Sequence, residues 1–83
     1  MIVEPDNTPG YELVRRVEGE PCVAVIHHPK GSRRWHVTYR AAPGDFRCHT
    51  PNVSCATRKA ALAEIEHTIA ICSDYQLGLA TTP

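Results

Sequence analysis

Apolar and polar residues alternate most regularly over 33–41, where Trp35, Val37, Tyr39 and Ala41 interleave with Arg34, His36, Thr38 and Arg40. A period of two sends successive side chains to opposite faces of a strand, so this segment predicts a strand with one apolar face and one polar, basic face. Residues 22–28, CVAVIHH, are β-rich and nearly continuous in apolar character, as a strand inside a sheet would be. Residues 11–17 predict another strand, with Tyr11, Leu13 and Val17 on one face and Arg15 as the exception. Pro29 and Gly31 supply turn chemistry after His28, and Pro43-Gly44 suits a type II turn. Residues 46–50 then read as a short strand ended by Pro51, with Phe46 and Cys48 on one face and Arg47 and His49 on the other.

The period changes after Pro51. Leu62, Ile65, Ile69 and Cys72 recur at spacings of three, four and three, which places them on one stripe of a helix running from about residue 55 to 73 or 74. Ser54 or Thr57 is positioned to cap its start, with Asn52 and Val53 left in a loop. Residues 1–10 carry turn formers without an apolar period and read as a flexible lead-in, and 75–83 read as a loose tail. The remainder, 11–74, predicts a single ββββα domain of the α+β class, an antiparallel sheet (β-meander) of three or four strands packed on one C-terminal helix. If the helix covers the face of Trp35, Val37, Tyr39, Phe46 and Cys48, the free face shows Arg34, His36, Thr38, Arg40, Arg47 and His49.

Charge sharpens this picture. The 83 residues have a formal net charge of zero, which by itself opposes nucleic-acid binding. The distribution is uneven, because residues 1–20 sum to −3, residues 30–59 to +6 and the remainder to −3. The basic middle coincides with the basic strand face. Arg58 and Lys59 fall in the first helical turn, where the helix dipole disfavours cations, so they join the candidate contacts.

A chain of this length buries too little surface to enclose a large substrate or cofactor, so function is expected on the surface. There is no Gly-rich phosphate loop, no strand-elbow serine and no carboxylate pair across a pocket, hence the expectation of no enzymatic activity and no cofactor. The four cysteines, Cys22, Cys48, Cys55 and Cys72, lack a Cys-x-x-Cys pair, and the nearest grouping, Cys48, His49 and Cys55, splits across strand faces, so no metal is expected. No apolar run is long enough for a membrane span, and the acidic, turn-rich start is unlike an export signal, so a cytoplasmic protein with reduced thiols is expected.

From about Arg33 to Ile69 the chain resembles, in outline, the small AP2-like DNA-binding domains at the amino ends of phage-type integrases. The features that carry the resemblance are Trp35 with Tyr39, the turn Pro43-Gly44, Phe46 opening the last strand, and Thr57 through Ala61 at the helix start. Arg58 and Lys59 stand where that family usually has acidic residues, and the link 51–56 is longer than usual. The resemblance implies that the free sheet face enters the major groove of duplex DNA, with contacts from Arg34, His36, Arg40 and Arg47. The expected function is a small nucleic-acid-binding or regulatory protein, encoded by a phage or mobile element, with Arg34, His36, Arg40, Arg47, His49, Arg58 and Lys59 as contact residues. The alternative is a protein-interaction module, an inhibitor or adaptor that docks on a host protein through its sheet face or edge.

Overall fold

The computed structural model of the chain describes residues 1–40, 53–74, 77 and 79. Five strands, β1 (Ile2–Pro5), β2 (Tyr11–Arg15), β3 (Cys22–His27), β4 (Trp35–Tyr39) and β5 (Val53–Cys55), precede one helix, α1 (Arg58–Ile71). The strands pair antiparallel in chain order, β1-β2-β3-β4-β5. The α+β class and the sheet backed by a C-terminal helix are as expected, but the sheet has five strands where three or four were expected.

The extra pairing comes from two places that local pattern leaves blank. Residues 1–10 contain β1, whose Ile2, Val3, Glu4 and Pro5 pair with Arg15, Val14, Leu13 and Glu12. A four-residue edge strand needs no clear apolar period of its own, because β2 supplies its hydrogen-bond partners. Residues Val53–Cys55, expected as part of the link to the helix, form β5 against β4 through the pairs Trp35↔Cys55 and Val37↔Val53. The strand expected over 46–50 lies outside the described residues.

Helix α1 starts after Thr57, whose side-chain oxygen accepts the Ala60 N–H at 3.0 Å. At the other end the Cys72 N–H donates to the Thr68 carbonyl at 3.0 Å, so the helix stops slightly earlier than its apolar period suggested. It packs over β4 and β5. The core joins Val14, Val23, Ala24, Ile26, Val37 and Cys55 of the sheet to Ala61 and Ile65 of the helix, with Trp35, Tyr39, Val53, Leu62 and Ile69 packed around them. Trp35, Val37 and Tyr39 therefore face the helix, and His36 and Thr38 face away.

Two further assignments need correction. On β2 the helix side carries Val14, fully buried, which the period over 11–17 left out, while Tyr11 and Leu13 share a face as expected but turn it to the open side, opposite His27 and Val25. Leu13 and Val14 are adjacent apolar residues, so local alternation does not say which face is covered; the helix decides it. The register between β2 and β3 shifts at Val14/Arg15, and beside this irregularity both Val23 and Ala24 reach the core. The second correction is at the C-terminus, where Leu77, placed by sequence in a loose tail, is 3% exposed and belongs to the core, with Leu79 packed against it.

Candidate nucleic-acid interface

The β3–β4 hairpin brings the chemistry to one end of the sheet. Its turn carries Lys30, Arg33 and Arg34, and no acidic residue occurs in the chain from 21 to 44. Gly31 has φ of +82°, a left-handed conformation that glycine adopts without a Cβ penalty, and the Ser32 N–H closes the turn on the Pro29 carbonyl at 3.0 Å. Lys30, Arg33 and Arg34 are all exposed.

Arg34 is anchored. Its Nε donates to the Ser54 hydroxyl at 2.8 Å, an Nη to the Ser54 carbonyl at 2.9 Å, and its backbone N–H to the Ser32 hydroxyl at 3.0 Å. This side chain ties the end of the hairpin to β5 and holds its charge beside His36, whose Cα partner is Ser54. The His28 ring stacks on Trp35 with centroids 3.9 Å apart, and its Nε2 lies 2.9 Å from the Ser32 carbonyl, a geometry that requires the proton on Nε2.

On the face away from the helix, the last strand pairs before the turn form a row of rings. Tyr11 and His27 stack nearly parallel at 4.0 Å, and His27 and His36 follow at 6.4 Å with a 42° tilt. Tyr11, His27 and His36 rim an open depression whose other lining residues are Val25 and Thr38. Arg40 is exposed at the far end of β4, its backbone N–H bonded to the Val23 carbonyl at 2.9 Å.

Elsewhere the cations are largely neutralised. Arg15 pairs with Glu4 on the same open face, and that hydrogen bond raises the guanidinium pKa. Arg16 contacts both Glu20 at 2.7 Å and Asp74 at 2.6 Å, and it holds the Glu20 carboxyl below its ordinary range. Arg58, singled out for its unfavourable place in the first helical turn, donates to both oxygens of Glu12, with the shortest contact at 2.9 Å. Glu12 is an acidic partner supplied by β2 for a helix whose own first turn has none.

The structure thus brings Arg34 and His36 together, with Arg40 just past the end of β4. It places Arg58 in an ion pair on the helix side and Lys59 exposed on the helix, away from the ring row. Arg47 and His49 lie outside the described residues, as do Phe46 and Cys48. Tyr11, His27, Lys30 and Arg33 join the site although sequence reasoning did not select them as contacts. The signal was present in the adjoining His27 and Tyr11 strand ends, but their cross-strand pairing is needed to see a ring row.

Among the described residues no three His, Cys, Asp or Glu side chains converge in a way that could hold a metal ion, and no helix is long and apolar enough to cross a membrane. Cys22 and Cys55 are free thiols, whereas Cys72 is disulfide-bonded, which corrects the expectation of four reduced cysteines. Pairing depends on the distance between Cα atoms in the folded chain, which spacing along the sequence does not reveal. Comparison of the chain with protein-family models, curated proteins and solved structures finds no match.

Proposed function

We propose that this chain is a small, non-enzymatic nucleic-acid-binding protein that engages its ligand with the β3–β4 turn and the sheet face turned away from the helix. One observation carries the reading: the exposed cations Lys30, Arg33 and Arg34, within a stretch of the chain (21–44) that contains no acid, adjoin a row of rings on an uncovered sheet face. Such cations exchange their counterions for phosphates, and a sheet face offers side chains to bases. Arg40, exposed just past the end of β4, extends the contact.

Titration with labelled DNA at about 50 mM and then about 200 mM salt tests the proposal, because phosphate contacts weaken steeply with salt. Measurable binding at low salt that falls at high salt is expected. Undetectable binding at low salt would contradict it.

A second reading, docking on a partner protein, draws on a separate observation. The open face also carries Leu13 and Val25 beside Tyr11, and among the described residues β1 pairs on one side only, with β2. An apolar patch and a one-sided edge strand suit strand addition by a partner chain. Such docking would persist at salt concentrations that abolish phosphate contacts.

A further inference from the structure

The ring row says more about the ligand than the cations do. His27 and His36 are cross-strand partners, and their centroids stand 6.4 Å apart, tilted by 42°. Two rings that hold a third between them must be separated by about twice the roughly 3.4 Å step of stacked bases. The His27–His36 centroid separation falls about 0.4 Å short of that spacing, and turning His36 through its 42° tilt would set the two rings parallel as a slot to receive one planar ring. His27 is already braced on its other side by Tyr11, at 4.0 Å and 8° from parallel, which fixes one wall of the slot.

Base-paired duplex DNA has no ring to offer such a slot, since every base is stacked on its neighbours. An unpaired strand does, and its phosphates are spaced to reach a cation a nucleotide away. Arg34 stands at the end of the row, held to Ser54 on the neighbouring strand, and Lys30 and Arg33 lie in the adjoining turn. Sheet surfaces that bind single strands combine these two parts, rings for bases and cations for the backbone.

We infer that the ligand is a single-stranded nucleic acid, with one unpaired base inserted between His27 and His36 and its flanking phosphates held by Arg34 and the β3–β4 turn. This inference rests on the proposed nucleic-acid function and narrows it from nucleic acid in general to an unpaired strand. Stacking of this kind tolerates any base, because every base presents a π face.

The test is fluorescence anisotropy at low salt with a labelled oligothymidylate of about a dozen nucleotides, within the usual footprint of a small single-strand module, and with a duplex of equal length. The single strand is expected to bind at least tenfold more tightly. His36→Ala should weaken single-strand binding by about 5- to 150-fold, the usual range for one lost stacking partner, and should weaken duplex binding by a smaller factor. His36→Phe, which keeps a ring, should restore most of that loss, and circular dichroism should show both variants folded. Equal or tighter duplex binding, or a His36→Phe variant as weak as His36→Ala, overturns the stacking inference and leaves the proposed function standing. Absence of binding to either probe overturns both.

Discussion

Single residues show where local chemistry is constrained. Gly10 has φ of +84°, and a Cβ added there would come within 3.0 Å of the His28 carbonyl oxygen, while its own carbonyl accepts the His28 N–H at 2.9 Å. Gly10→Ala should therefore cost more than the roughly 1–2 kcal/mol of the left-handed conformation alone, and urea unfolding would register the loss. Tyr39 is constrained differently. Its O–H donates to Glu64 at 3.4 Å and accepts from the Thr68 hydroxyl at 2.9 Å, and burial pushes its phenol up to about 12 from an ordinary 10.0. A folded-state value above the unfolded one means that the stabilisation is complete below pH 10 and is lost as pH rises toward 12. Ultraviolet titration should show one phenol ionising late, together with falling stability in that window; full phenol ionisation near pH 10 in the folded protein would contradict this arrangement. Arg34 shows how contact changes an expectation: from sequence it stood on the free face of the sheet, yet its bonds to Ser54 tie the end of the β3–β4 hairpin to β5. Arg34→Ala should carry a stability cost as well as a binding defect, on the order of 0.5–1.5 kcal/mol for a hydrogen-bonded partner.

Elements were legible from sequence in proportion to how strongly their own residues specify them. Strand β4 and helix α1 have clear periods, and both appear with the expected faces, Trp35, Val37 and Tyr39 turned to Ile65 and its neighbours. Strands β1 and β5 were missed because four and three residues are too few to show a period, and each exists through pairing with a neighbour. The pattern over 11–17 put Tyr11 and Leu13 on one face but did not say which face of β2 the helix covers, since Leu13 and Val14 both qualify as inward and only the helix position separates them. The candidate site shared this limit: Arg34 and His36 were visible as one strand face, whereas Tyr11 and His27 entered only through cross-strand stacking. For the helix, the Thr57 cap is the feature most open to test. Thr57→Ala removes the acceptor for the Ala60 N–H and should cost about 1 kcal/mol, within the usual 0.5–2 range for a lost N-cap. Thermal unfolding that does not change would place the helix start elsewhere. Ile65 is fully buried, so Ile65→Ala should cost about 2–5 kcal/mol by the same measurement.

The whole molecule is neutral but polar in its layout. Acidic groups Glu4, Glu20 and Asp74 collect near the β2–β3 turn, where they pair with Arg15 and Arg16, and the opposite end of the sheet presents Lys30, Arg33 and Arg34. A net charge of zero is thus compatible with a localised cationic end, which is why total charge was a poor guide to the surface. The thiols also report on the whole fold: with Cys72 in a disulfide and Cys22 and Cys55 free, titration of the denatured, unreduced protein should find fewer than four thiols, and four would contradict the Cys72 bond. The central claim is that nucleic acid is held at the β3–β4 end, and the salt dependence of binding tests it most directly. Removing two phosphate contacts in Lys30→Ala/Arg33→Ala should lower the slope of log affinity against log salt by about two, at roughly one per contact. Arg15→Ala/Arg16→Ala changes net charge equally at the opposite end and should leave the slope near that of the unaltered protein. Equal slopes for the Lys30→Ala/Arg33→Ala variant and the unaltered protein would contradict the claim.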